Sequence, residues 1–381
     1  MNRRVLMTFL PILLLYSALS FYVIWNGSLY LAEIWPDYPV AWYWGLAAVV
    51  AFSYFLGRSK FKPRPLSRFL KVIGSYYFAV FEYAILLSIV ADLLALVGLL
   101  LGIPASDYIL VAGTAAAALL VILLAVGSWN AWVPIVRRYQ VSVDKKAGDL
   151  AKLELVVASD LHLGNLVGNR HLDRLINVVN PIEPDLILLA GDVMDEDIEP
   201  IVRNRNDERL ARLRARYGTF AVLGNHEYYG GHVDEFVDRM KASGIPVLQD
   251  ETAIVAEGRI QIAGRKDKTA ESMDPSGRKS MKELVEGLNP DLPIIAMDHQ
   301  PYQYAAAAEA GVDILVSGHT HRGQFAPNHW ITRRLFELDW GYLIKGSMHA
   351  FVSSGFGTWG PPIRLASRSE IIHITVSFKG D

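Results

Sequence analysis

Leu153-Glu154-Leu155-Val156-Val157-Ala158-Ser159-Asp160-Leu161-His162 is the stretch on which the fold turns. Residues 153–159 form a short apolar run with paired valines, the mark of a buried strand, and the run ends in an Asp-x-His pair. The same pattern returns four times. Residues 185–191 lead into Asp192, residues 219–225 end in Asn225 with His226 next, residues 293–299 end in His299, and residues 313–319 end in His319 with His321 close behind. Between these runs, residues 171–179, 208–216, 233–243, 281–287 and 303–311 carry helical patterning, so the region reads as a layered α/β domain. Residues 252–263 read as a hairpin, and residues 139–143 and 367–378 supply further strands.

Metal-type residues therefore stand at the ends of five successive strands. Sheets of α/β domains collect ligands at the carboxyl ends of their strands, so residues that span 162 positions of sequence are expected to meet in space. The remaining histidines, His171, His232, His329, His349 and His373, follow no such pattern and read as structural. Carboxylates, imidazoles and one carboxamide make mixed N/O sites for Mn, Fe or Zn, and the absence of cysteine excludes thiolate sites, disulfides and a cysteine nucleophile. Two adjacent ions of this kind suit in-line displacement at phosphorus.

The region before this domain is of another kind. Of the 381 residues 52% are hydrophobic and 20% charged, and the formal charge of -2 conceals an asymmetry. Up to residue 150 there are 12 Lys and Arg against 7 Asp and Glu; beyond it there are 25 against 32. All 10 histidines lie at or after His162. Apolar runs at 5–25, 40–56, 83–103 and 108–127 approach or exceed the roughly 20 residues needed to cross a bilayer core. They divide the chain into a four-helix transmembrane domain, residues 1–136, and a catalytic domain, residues 137–381.

Arg3 and Arg4 precede the first run, Arg58, Lys60, Lys62, Arg64, Arg68 and Lys71 lie between the second and third, and Arg137, Arg138, Lys145 and Lys146 follow the fourth, while the other two loops carry no Lys or Arg. This alternation predicts a multi-pass protein of the inner (plasma) membrane with its catalytic domain in the cytoplasm. Export after the Arg3-Arg4 pair is the rival reading. Asp92, near the middle of the third run, is expected to pair locally within a helix bundle. The acidic second part speaks against a nucleic-acid partner.

Ser159-Asp160-Leu161-His162, Gly191-Asp192-Val193-Met194-Asp195, Gly224-Asn225-His226-Glu227, Asp298-His299-Gln300-Pro301 and Gly318-His319-Thr320-His321 together resemble the five-part signature of calcineurin-like metallophosphoesterases. The likeness extends over about residues 139–378, within the bacterial membrane-anchored branch. The resemblance implies a four-layer αββα sandwich with a dinuclear centre. It implies that Asp160, His162, Asp192 and His321 hold one divalent ion, and that Asp192 bridges to a second held by Asn225, His299 and His319. His226 would protonate the leaving oxygen, Asp195 would orient it, and a metal-bridging hydroxide would be the nucleophile.

Arg322 stands where relatives carry glycine, and Arg265-Lys266-Asp267 where they carry Val-Asp-Asp. These changes suggest a clamp of Arg322, Arg265 and Lys266 on a second phosphate or an acidic headgroup. The expected partner is a phosphate ester, lipid-linked or amphiphilic, reached together with membrane lipids. The alternatives are a soluble linear or cyclic nucleotide, and a non-catalytic binding protein. Residues 330–340, with Trp330, Ile331 and Leu335 around Arg333 and Arg334, are expected either to dip into the headgroup region or to pack as an ordinary insertion.

Overall fold

The computed structural model describes residues 3–58 and 64–379; Lys60 and Lys62 of the basic loop lie outside these. The chain divides into two compact units, Met1–Val126 and Gly127–Asp381. Four helices come first, α1 (Arg3–Ile34), α2 (Val40–Gly57), α3 (Arg64–Leu100) and α4 (Ala105–Trp132), each long and apolar enough to cross a membrane. The helices and the apolar runs differ in extent. Hydropathy marks only what is apolar, whereas backbone hydrogen bonding continues through polar turns until a breaker intervenes. Thus α3 begins at Arg64 in the basic stretch and stops before Gly102, whose φ is 73°, and Pro104. Within the first unit Asp92 accepts a hydrogen bond from the hydroxyl of Tyr22, the local pairing that a carboxyl at bilayer depth needs. Gly74 brings α3 against α2 so closely that a Cβ there would lie 2.3 Å from the Tyr54 nitrogen.

The second unit opens with strand β1 (Ile135–Val143). The other strands are β2 (Lys152–Ala158), β3 (Leu186–Ala190), β4 (Thr219–Val222), β5 (Glu251–Val255), β6 (Ile260–Gly264), β7 (Ile294–Met297), β8 (Ile314–Ser317), β9 (Gly341–Lys345), β10 (Met348–Val352) and β11 (Glu370–Phe378). Helices α5 (Asn169–Val179), α6 (Ile198–Asn204), α7 (Asn206–Leu210), α8 (Asn225–Gly230), α9 (Val233–Ala242), α10 (Ala270–Met273), α11 (Met281–Val285), α12 (Tyr304–Glu309) and α13 (His329–Leu335) lie between them. One sheet has the order β1-β11-β2-β3-β4 and the other β5-β6-β7-β8-β10-β9. In the first, β2, β3 and β4 are parallel; in the second, β6, β7, β8 and β10 are parallel.

Alternation along the strands builds the layers. Leu155 and Val157 of β2 join Ile295 and Met297 of β7 in one buried cluster between the sheets. Val156 and Ala158 point the other way, into a cluster with Leu172, Leu175 and Phe236 from α5 and α9. On the far side Ile294 and Ala296 pack with Leu284 of α11 and Ala307 of α12. Helix, sheet, sheet, helix is the resulting four-layer sandwich.

Two features depart from the sequence reading. Residues 208–216 are not one helix: α7 covers only Asn206–Leu210, and residues 211–216 leave the helix. The antiparallel β9–β10 hairpin was not anticipated, although Gly346-Ser347 between two apolar runs is a hairpin signal.

Candidate metal centre

The five strand ends do converge, and they come from both sheets. β2, β3 and β4 deliver Asp160, His162, Asp192 and Asn225 from the first sheet, and β7 and β8 deliver His299, His319 and His321 from the second. Backbone strain marks the junction. Asp160, His162, Asp192, His319 and His321 all have positive φ, between 46° and 74°. Residues other than glycine adopt this region at a cost, and such strain gathers at functional sites. The surrounding hydrogen bonds hold it in place. Asp160 N donates to Gly191 O, His162 N to Asp192 O, and His319 N to the Asp160 carboxylate, each at 2.9 Å. Gly224 and Gly318 permit the close approach, since a Cβ on either would lie 2.2 Å from a carboxylate oxygen of Asp192 or Asp160 respectively.

Two groups form around Asp192. In the first, Asp160, His162 and His321 bring their ligand atoms within 4.8 Å of one another; in the second, Asp192, His299 and His319 do the same. Asn225 joins the second, its Oδ1 2.8 Å from His319 Nδ1. Asp192 also stands 3.9 Å from His162 Nε2, so it touches both.

The donor arrangement fits cations. His299 Nδ1 is 2.8 Å from the Ala190 carbonyl and so carries its proton there. Its Nε2 faces Asp192 Oδ2 at 3.1 Å; burial opposes a charge on this ring, but Asp192 holds its pKa well above the ordinary imidazole value. His162 Nε2 and His321 Nε2 lie 3.0 Å apart, at hydrogen-bond distance, and His162 Nδ1 is buried without a partner. Burial foremost, aided by neighbouring histidines, pushes His162 and His319 down to about 4, and burial beside Arg364 lowers His321 further, so these imidazoles are neutral, as metal ligands must be. Asp192 is held below the usual carboxylate range: burial opposes this, but His299 beside it outweighs burial.

His226 and Asp195 flank the two groups. The His226 amide donates to Asp192 Oδ1 at 2.9 Å, and its ring meets that of His162 edge to face at 4.6 Å. Asp195 Oδ1 lies 3.4 Å from His226 Nδ1, an ion-pair distance without hydrogen-bond alignment. Burial alone would lower the His226 pKa, but Asp195 and Asp192 raise it to about 9.

Of the three residues expected to clamp a second phosphate, only Arg322 is free for that role. Its guanidinium lies 4.0 Å from the ring centroid of Trp340, and no carboxylate among the described residues pairs with it. Arg265 is buried and turned instead toward Asp298 Oδ2 and Gln303 Oε1, both at 3.1 Å, and toward Lys279 O at 2.8 Å. Lys266 Nζ is taken up by Asp274 at 2.7 Å and Ser276 at 2.6 Å. These two side chains hold their own loop together; an acid close in space outcompetes any substrate for a cation.

Three residues went unread in the sequence. Glu227, fully buried, accepts from the amides of Asp192, Met194 and Gly224 and so ties two ligand loops together. Its position three residues after a glycine N-cap was the available signal. Arg278 joins Arg265 on Asp298. Arg364, fully buried, bonds through Nη1 with Ser354 O and Ser367 Oγ and places Nη2 3.0 Å from His321 Nδ1.

A family model described as calcineurin-like phosphoesterase matches residues 153–323. A Bos taurus protein called "Transmembrane protein with metallophosphoesterase domain" is 34% identical over 66% of this chain and 60% of its own length. An "Uncharacterized metallophosphoesterase" of Aquifex aeolicus is 30% identical over 65% of this chain and 93% of its own length. The match spans about three-fifths of the vertebrate relatives, 60% of the Bos taurus protein and 57% of one from Danio rerio.

Proposed function

We infer that this chain, which belongs to the calcineurin-like metallophosphoesterase family, cleaves a phosphodiester or pyrophosphate bond of a lipid-linked or amphiphilic substrate. Hydrolysis of a phosphoester with divalent metals is the chemistry of the family. The observation that carries the finer reading is the pair of adjacent ligand groups, with Asp192 of one 3.9 Å from His162 of the other, and the unpaired cation of Arg322 one residue beyond His321.

In this reading Asp160, His162, Asp192 and His321 hold one divalent ion, and Asp192, Asn225, His299 and His319 the other, with Mn, Fe and Zn as the candidates. When bound, the ion pair supplies Lewis acidity for phosphoryl transfer to water. His226 supplies the proton for the leaving oxygen. Asp195 faces Nδ1 and leaves Nε2 for the substrate, and the His226 amide on Asp192 fixes the ring against the ligand groups. Arg322, laid flat on Trp340, presents its donors to a second anionic group of the substrate. Glu227 and Arg364 position ligands and touch no substrate.

Four apolar helices and a relative named as a transmembrane protein support membrane residence. The alternation of basic loops supports a multi-pass protein of the plasma membrane with the catalytic unit on the cytoplasmic side. The purified full chain, loaded in turn with Mn, Zn or Fe, is to be assayed on a lipid pyrophosphate and on soluble linear and cyclic nucleotides, with and without detergent. The wild-type chain should favour the lipid substrate, and His226→Ala should retain its metals while losing turnover about 10²–10⁴-fold. Preference for the nucleotide would refute the lipid reading, and unchanged turnover in the variant would remove His226 from its role.

A further inference from the structure

The geometry points to α13 and the residues after it as a docking face by which the catalytic unit rests on an anionic lipid surface. No residue of α13 is buried. Trp330, Ile331 and Leu335 are 65%, 59% and 66% exposed, a concentration of large apolar side chains that a water-facing surface does not need. Ile331 and Leu335 are four apart and share a helix face with Trp330 beside them. Arg333 and Arg334 alternate with them, and neither has a carboxylate partner among the described residues, whereas Arg203, Arg205 and Arg209 elsewhere on this unit are each paired with one. Aromatic and aliphatic side chains beside unpaired arginines are the composition of an interfacial helix.

Two independent ties fix what covers this face. The guanidinium of Arg137 lies 4.5 Å from the ring centroid of Trp340, which follows α13 closely. Arg137 is five residues beyond Trp132, the last residue of α4, so strand geometry keeps it within about 17 Å of the helix end. The second tie runs through Gln324. Its side chain holds the backbone of the exposed Trp359 from both sides, at 2.9 and 3.0 Å, and its carbonyl accepts from the Leu365 amide at 2.9 Å. The neighbouring Arg364 amide donates to Gly127 O of α4, also at 2.9 Å. The chain before and after α13 is thus held, through Gln324 and Trp340, to residues near the end of a helix long and apolar enough to cross a bilayer, and the surface within reach is the headgroup layer.

The face is also joined to the metal centre. Thr332 Oγ1 donates to Asp339 Oδ2 at 2.7 Å, while Asp339 O accepts from Thr320, the residue between His319 and His321. The Phe336 ring packs on Tyr302 at 5.1 Å and on His319 at 6.1 Å. Docking itself does not rest on the hydrolase reading; only its consequence does, that substrate enters from the lipid side.

The chain contains no cysteine, so one label can be placed cleanly. Full-length Leu335→Cys, carrying a polarity-sensitive fluorophore, is to be reconstituted into phosphatidylcholine vesicles with and without phosphatidylglycerol, with Glu257→Cys as the water-exposed control. In anionic vesicles the label at position 335 should shift to the blue and escape aqueous iodide, while the label at 257 stays quenchable. Arg333→Gln and Arg334→Gln should each lower the docked-to-free ratio about fivefold, with hydrolysis of a soluble aryl phosphodiester unchanged as evidence of an intact fold. A label at 335 as accessible as that at 257 would overturn the proposal, and so would shielding that persists in detergent without lipid, since a protein surface would then be the cover. A chain that docks yet cleaves nothing supports the docking and removes the hydrolase reading instead.

Discussion

Asp298 and His299 are neighbours at the end of one strand, yet they belong to two differently balanced clusters. Asp298 is buried between Arg265 and Arg278, so that cluster carries its own cations. His299 opens instead onto Asp192, 3.1 Å away, in a set of buried carboxylates and imidazoles. The difference separates structure from chemistry. A cluster closed by its own arginines holds a loop, whereas one of carboxylates and imidazoles at equal burial offers the donor set for ions from outside.

The sharpest way to break this comparison is to remove the acceptor shared by both ligand groups. Asp192→Asn should abolish turnover and metal retention together, as measured by elemental analysis and a phosphodiester assay. Retention of both metals would place the bridge elsewhere. Next in size, Asp298→Asn leaves two buried guanidiniums without their carboxylate and should cost about 3–5 kcal/mol in denaturant unfolding. Metal content measured below the transition should stay at the wild-type level, and loss of metal without loss of stability would merge the two clusters into one. The smallest effect is expected at the periphery. Arg322→Gly should raise KM about tenfold for a substrate with two anionic groups and change it little for a simple aryl ester, with kcat preserved for both. Equal effects on the two substrates would reduce Arg322 to a surface cation resting on Trp340.

The arginines show where legibility ended. Arg322, Arg265 and Lys266 looked alike in the sequence, since each adds positive charge near a ligand motif. Their roles separated only with their neighbours: Trp340 lies under Arg322, Asp298 under Arg265, and Asp274 beside Lys266. Arg278, 20 residues from the acid it pairs with, carried no local signal at all. Glu227 was visible in the Gly-Asn-His-Glu run but not its work, because the amides it binds come from a different loop.

What the sequence by itself determined was the division into apolar helices and an α/β unit, and the strands that end in candidate metal-ligating residues. Hydropathy, period-two alternation and donor chemistry are properties of a residue and its near neighbours, so they survive without a fold. Only the tertiary structure decided which of these strands lies in which sheet, that Asp192 stands 3.9 Å from His162, which cations are already paired, and that the chain on both sides of α13 is tied to residues near the end of α4. Each of these depends on residues tens or hundreds of positions apart, and charge pairing and hydrogen bonding act over a few ångströms of space, which sequence distance does not measure.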